Sequence, residues 1–372
     1  MFRNLAAWTA VCILIGLVAP ALASEGRMPI YAWPTVISNP GQYVVTRNLN
    51  ASGSGTSVII VQASDVDIDL NGFVLETDGA PVIQAANVSN LAIRNGTIKR
   101  GVRGIAVMSQ IAEIFHKVVV ERVNVIETMG EGIFIHQVSD FAIRWCNILN
   151  TEREGIWVDG VGPAPTVVQG TIEHNRLEST GGVTVRWGSS VGILNNRLEV
   201  TNVVAPPPSM GAIVYDYSHA GLIASNTIQV VNSGSGIFLG DANGNKVYNN
   251  VVREARMNGI HLAGMSDDNL VLENVVSGCG DDGIRVDGSR NHVDRNVTNS
   301  NCRNGTGQCW GLHFSMAWGG MDNTFGRNTA RGNAGMPPAC LLGPSPYVPT
   351  PDFCDEQPGT GSFNDNYMPN FF

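Results

Sequence analysis

The chain has 372 residues, of which only 15% are charged, and its formal net charge is −9. That balance excludes non-specific binding to nucleic acid, which needs a surplus of Lys and Arg. Past the first two dozen residues, no run is long and apolar enough to span a bilayer.

The N-terminus reads as an address. Arg3 precedes an apolar run from Leu5 to Leu22, which ends in Ala21-Leu22-Ala23 before Ser24. A basic start, an apolar middle and a small-x-small cleavage site define a secretory signal peptide over 1–23. The mature protein is therefore expected to be periplasmic or secreted. Residues 55–332 are expected to form its body, with 24–54 capping the N-terminal end and 333–372 the C-terminal end.

Two short patterns alternate through the body. One is an Asn followed by alternating apolar residues, at Asn71, Asn95, Asn124, Asn147, Asn175, Asn196, Asn226, Asn250, Asn274, Asn296 and Asn328, spaced by 21 to 32 residues. The other is Gly-apolar-x-apolar, from Gly104-Ile-Ala-Val through Gly155-Ile-Trp-Val to Gly311-Leu-His-Phe. Self-similarity at such a period marks a stacked repeat. The runs are short, alternate with period two and are rich in Val and Ile, so the unit is built from strands. Each unit makes one turn of a coil whose strands pair in parallel with their copies in the next turn, giving a parallel β-helix of about eleven coils. The Asn column is expected to form an internal ladder, each side chain accepting and donating along the stack. Insertions break the period at Ser109–Lys117, Gly160–Pro165 and Val203–Met210.

Cys12 lies in the leader, and five of the other six cysteines (Cys279, Cys302, Cys309, Cys340, Cys354) cluster toward the C-terminus. In an exported chain such clustering points to disulfides. Cys340 and Cys354 bracket a Pro-rich loop and are the first expected pair. Cys302 has two candidate partners, Cys309 across a short loop and Cys279 one coil earlier. Cys146 is expected to be an unpaired packing residue.

The segments Thr35-Val-Ile-Ser-Asn-Pro-Gly-Gln-Tyr-Val-Val, Asp67-Ile-Asp-Leu-Asn-Gly-Phe and Ile93-Arg-Asn-Gly-Thr-Ile resemble bacterial right-handed β-helix repeat proteins of the pectin-lyase-like superfamily, with NosD-like repeats. The resemblance spans roughly residues 30 to 332. It concerns turn and core positions, so it implies a fold, a right-handed parallel β-helix, rather than an activity.

Chemistry is therefore sought on the outward positions of the Gly-apolar-x-apolar strand, which stack in two columns. The first is expected to read Phe134, Trp157, Thr184, Ile213, Phe238, His261, Arg285, His313. The second is expected to read His136, Asp159, Arg186, Tyr215, Gly240, Ala263, Asp287, Ser315. These columns give a central cluster of His136, Asp159, Arg186 and Tyr215, with Trp157, Trp187, Asp216, Tyr217 and His219 nearby. A second cluster, nearer the C-terminus, holds His261, Arg285, Asp287 and His313. Aromatic plates beside charged groups suit a sugar chain. In a lyase or epimerase, Tyr215 or His136 would move the proton, Arg186 would neutralise a uronate carboxylate and Asp159 would orient His136 or Arg186. Ca²⁺ could replace Arg186 as neutraliser, although no compact run of carboxylates demands a metal.

Gly280-Asp281-Asp282-Gly283 resembles the Asp-Asp segment of polygalacturonase-type glycoside hydrolases. Asn258 and Trp310 stand where that pattern wants Asp and His, so a turn explains the pair better than inverting hydrolysis. Three functions of different class remain. One is an enzyme acting on an acidic polysaccharide, and another a non-catalytic carbohydrate-binding or envelope protein. The third, a NosD-like periplasmic accessory factor, is weakened because Met and His do not cluster in metal-ligand spacing. The sequence favours the first two and leaves both open.

Overall fold

The computed structural model describes residues 26–109, 115–160, 162, 168–201, 210–230, 234–304, 309–315 and 322–333, with the backbone of 353–355. The leader, most of the three insertions, Cys340 and most of 333–372 lie outside the described residues. Among the described residues no helix is long and apolar enough to cross a membrane.

The chain winds into a right-handed parallel β-helix with two sheets, one of thirteen strands and one of 23. Each middle coil gives one strand to the first sheet and two to the second, as in Val183–Arg186, Val191–Leu194 and Arg197–Val200. Every strand pairs in parallel with its copy in the next coil, so Ile156, Val183 and Ile213 stack in one column. Alternation then separates inside from outside: Val183 and Val185 are fully buried, Thr184 and Arg186 are not. Burying each such Val or Ile is worth about 1.5–3 kcal/mol.

Eleven strands of the thirteen-stranded sheet come from residues 55–332. One more is added at each end, by Thr35–Ile37 and by Phe353–Asp355. The segment 24–54, expected as a cap, contributes Met28–Ile30, Thr35–Ile37, Gly41–Val45 and Leu49–Asn50, and its register with the first coils of the body is parallel.

The Asn ladder exists, with a different membership. It runs Asn175, Asn196, Asn226, Asn250, Asn274, Asn296, Asn328. In its middle, Asn226 Oδ1 accepts from the N–H and Nδ2 of Asn196 at 2.9 and 3.0 Å. Asn226 Nδ2 donates to Ile193 O at 2.8 Å and to Asn250 Oδ1 at 3.0 Å. Every polar atom of that buried amide is satisfied. The residue before each rung bends the chain with a left-handed backbone, as at Asn195, Ser225 and Asn249, with φ of 55°, 57° and 53°.

The four earlier asparagines are not rungs. Asn71 and Asn95 are themselves left-handed corner residues, with φ of 52° and 59°. Asn124 and Asn147 pair with each other as strand residues one position past the corner, which Val123 and Cys146 occupy. A one-residue offset is invisible to a pattern that records only Asn before alternating apolar residues.

A second ladder, Asn245, Asn269, Asn291, Asn323, supports another corner. A short third one joins Asn301 to Asn333. Cys302 is disulfide-bonded to Cys309, while Cys146 and Cys279 are free and buried.

Candidate functional site

Strand pairing sets the outward columns of the thirteen-stranded sheet. Phe134, Trp157, Thr184, Val214, Phe238, His261, Arg285 and His313 form one. His136, Asp159, Arg186, Asp216, Gly240 and Ala263 form the other. Two expected members are corrected. Strand Gly211–Asp216 pairs one residue out of the expected phase, so Ile213 and Tyr215 point inward and Val214 and Asp216 outward. A one-residue shift turns every side chain of a strand over. The opposite phase would bury the Asp216 carboxylate, a larger cost than placing Val214, still only 8% exposed, on the outward side.

Tyr215 is thus a core residue with 0% exposure, not a member of the site. Its hydroxyl accepts from Val191 N–H and donates to Val191 O, both at 3.2 Å. Gly221 makes room for it, since a Cβ there would collide with the hydroxyl. Burial pushes the phenol well above its ordinary pKa, and the Val191 backbone contact only partly offsets this.

The central face holds two side-chain pairs in consecutive coils, an imidazole beside a carboxylate and a guanidinium beside a carboxylate. His136 Nδ1 lies 3.2 Å from Asp159 Oδ2, close enough for attraction but not aligned as a hydrogen bond. Arg186 Nε lies 3.7 Å from Asp216 Oδ2, and the Arg186 side chain is 46% exposed. The Asp216 carboxyl is pushed above the usual carboxylate range by burial; Arg186 pulls it down and nearby Asp241 pushes it up. Gly240 keeps this carboxylate open, because a Cβ there would come within 2.7 Å of Asp216 Oδ1.

Aromatic groups flank both sides. Trp187 and Tyr217, at the left-handed turns just past two of these strands, lie face to face at 4.3 Å with an interplanar angle of 12°. The Arg186 guanidinium sits 5.9 Å from the Trp187 ring. Across the strands, Trp157 meets Phe134 edge-on at 5.7 Å, and Arg103 covers the Phe134 ring at 4.3 Å. Arg103 is held by Glu131 at 2.5 Å, a buried carboxylate that the repeat pattern hid inside a Glu-Gly turn. His219 stands apart from both pairs. It is exposed on the turn beyond Tyr217, where its Nδ1 accepts from Asn243 N–H at 3.2 Å.

The C-terminal cluster is brought together as expected in register. Asp287 joins His261 Nε2 at 3.0 Å and Arg285 Nε at 2.8 Å. Burial raises the Asp287 carboxyl, but these two partners outweigh it and hold the group below its ordinary value. Asp282 of the Asp-Asp segment is buried and accepts from Trp310 N–H at 2.6 Å, with its other oxygen 2.8 Å from His313 Nδ1. Both Asp282 oxygens are engaged in holding the next coil, which is the work of a structural turn. Among the described residues no group of three or more His, Cys, Asp or Glu could hold a metal ion.

A stack of parallel coils with a polar and aromatic outward face defines a solenoid of the right-handed β-helix class. The model of the right handed beta helix region family matches residues 35–198 and again 199–343, and the chain belongs to that family. Among solved structures, it is similar to the A-module of an Azotobacter vinelandii mannuronan C-5 epimerase. The identity is 16% and the TM-score 0.49, over 80% of this chain and 83% of that one. A periplasmic alginate epimerase is 14% identical with TM-score 0.45, over 82% and 77% of the two chains. DFA-IIIase from Arthrobacter chlorophenolicus A6, in complex with DFA-III, is 14% identical with TM-score 0.47, over 81% and 77%. No curated protein sequence matches the chain.

Proposed function

We propose that the outward face of the thirteen-stranded sheet, centred on Arg186 and Asp216, binds an extended acidic polysaccharide outside the cytoplasm. The observation that carries this reading is the Trp187–Tyr217 stack set beside an exposed, loosely held arginine. The stacked pair holds its rings rigid and offers an outer ring face and the ring edges as an apolar platform to a sugar. Arg186, whose only described carboxylate contact is 3.7 Å away, retains donors for a uronate carboxylate. Export rests on the leader over 1–23.

Asp216 favours a second reading, in which the same face is catalytic. A carboxylate with raised proton affinity next to a guanidinium suits removal of the proton beside a uronate carboxylate. Arg186 neutralises the substrate carboxylate as the carbanion forms, and Asp216 takes the proton. Return of a proton from water to the opposite face of that carbon gives an epimer, and loss of the departing oxygen, protonated by water, gives an unsaturated end. His136, three strand spacings from Asp216, contacts a neighbouring part of the sugar chain instead. Asp216 thus replaces Tyr215 in this scheme.

The mature protein should be titrated with polygalacturonate, alginate and neutral dextran, while unsaturated products and reducing ends are monitored. Trp187→Ala should weaken all sugar binding, and Arg186→Ala only that of the acidic chains. If Trp187→Ala and Tyr217→Ala both bind like the parent chain, the platform is ordinary surface.

A further inference from the structure

At the opposite end of the short strands, before each coil enters the thirteen-stranded sheet, the C-terminal half carries a second concave feature. One coil arrives there as Arg253-Glu254-Ala255-Arg256, the next as Ser277-Gly278-Cys279-Gly280, and the third as Cys302-Arg303-Asn304. Cys279 turns into the core, so the middle coil presents only backbone. Gly280 must lack a side chain, since a Cβ would collide with Arg256 O and Asn304 Nδ2. Between the flanking coils a cleft of about 560 Å³ opens, lined by Glu254, Arg256, Gly278, Gly280, Arg303 and Asn304.

The charges around it are unusual for this chain. Most of its arginines are held by carboxylates, such as Arg94 by Asp67 and Arg290 by Asp268. Arg256 and Arg303 have none within ion-pair distance among the described residues; Arg303 Nη1 only grazes Gly278 O at 3.4 Å. Arg253 and Arg331 stand in the register column Gln229, Arg253, Ser277, Asn299, Arg331 beside the cleft, and likewise have no carboxylate within ion-pair distance among the described residues. Four exposed guanidiniums thus lie outside ion-pair distance of any described carboxylate. Against them stands the one lining carboxylate of Glu254, which accepts from Gln229 Nε2 at 3.0 Å. The ridge therefore carries a local positive field in a chain of net charge −9.

We infer that this cleft is a second binding site, in which Arg256 and Arg303 grip a carboxylate or sulfate group of an acidic glycan. The two coils are two strand spacings apart, about 10 Å at the backbone, a gap that two arginine side chains close around one oxyanion. The glycan as carrier rests on the function proposed above; the oxyanion chemistry stands on the cleft itself.

The test compares the parent protein with the pair Arg256→Ala/Arg303→Ala, the pair Arg256→Lys/Arg303→Lys, and Arg186→Ala. Polygalacturonate and dextran sulfate serve as acidic probes and dextran as the neutral one, each titrated at low and at physiological salt. The double alanine variant should lose roughly tenfold or more in affinity for an acidic probe, with a weaker salt dependence and an unchanged melting temperature. The lysine pair should keep part of that affinity, and dextran binding should not move. Loss confined to polygalacturonate assigns a carboxylate, and loss confined to dextran sulfate a sulfate. Parent-like affinity of the double alanine variant for both acidic probes overturns the inference, as does an equal loss for dextran. Failure of the sheet-face reading registers separately, as parent-like affinity of Arg186→Ala for polygalacturonate.

Discussion

Cys146 and Cys279 occupy the same structural position at two different corners of the coil. Each heads an asparagine ladder, and its backbone N–H donates to the first rung, Asn175 Oδ1 at 2.9 Å and Asn301 Oδ1 at 3.0 Å. A small, weakly polar side chain fits there because no further rung precedes it. Burial pushes both thiols up to about 12, so neither forms a thiolate near neutrality. In the native protein at pH 8, both should resist alkylation for as long as the fold lasts. Rapid labelling of either by iodoacetamide before unfolding would contradict its place in the core.

The ladder should dominate the stability map of the corners. Asn226→Ala strands the buried Asn196 N–H and Ile193 O and should cost about 1–3 kcal/mol. Asn147→Ala should cost far less, because Asn147 lies on a half-exposed strand face outside the ladder. Denaturant titration of the two variants checks the ranking, and equal losses would refute the assigned membership.

Tyr215 offers a test by pH. Its folded phenol has a raised pKa, so its contribution to stability is complete below the ordinary tyrosine value of about 10. As pH climbs past that value the unfolded chain gives up its proton while the folded one keeps it, and stability falls. Tyr215→Phe should lower stability at pH 7 by about 1–3 kcal/mol and flatten the alkaline decline. It should leave sugar affinity alone, because the ring faces the core.

Asp216 should show the opposite trade. Its raised carboxyl means that the ionised form burdens the fold at neutral pH and the protonated form does not. Asp216→Asn should therefore melt higher than the parent at pH 7, with the gap closing by pH 3. The same change should abolish any epimerase or lyase turnover. A variant that is destabilised at pH 7 would place Asp216 in a purely structural pairing with Arg186.

Much of the second ladder is present in the sequence as a fixed spacing. Asn245 and Asn250, Asn269 and Asn274, Asn291 and Asn296, and Asn323 and Asn328 are all five residues apart, the length of one short strand with its corners. A pattern keyed to one Asn per coil records only the second member of each pair. The buried Glu131 has no such signal, because its partner Arg103 comes from the preceding coil.

Local periodicity is enough to specify the β-helix, its coil length and the outward face that carries His136, Asp159 and Arg186. The reason is that a parallel stack repeats each local choice from coil to coil. Packing between coils, and nothing local, turns Tyr215 inward and Asp216 outward. The stretch Gly211-Ala-Ile-Val-Tyr-Asp alternates acceptably in either phase, and what separates the phases is where the polar groups end. In one, Tyr215 reaches Val191 and Asp216 stands beside Arg186; in the other, a carboxylate would be buried without a partner. The same holds for the Arg256–Arg303 cleft, which exists because three coils with unremarkable turns are laid side by side.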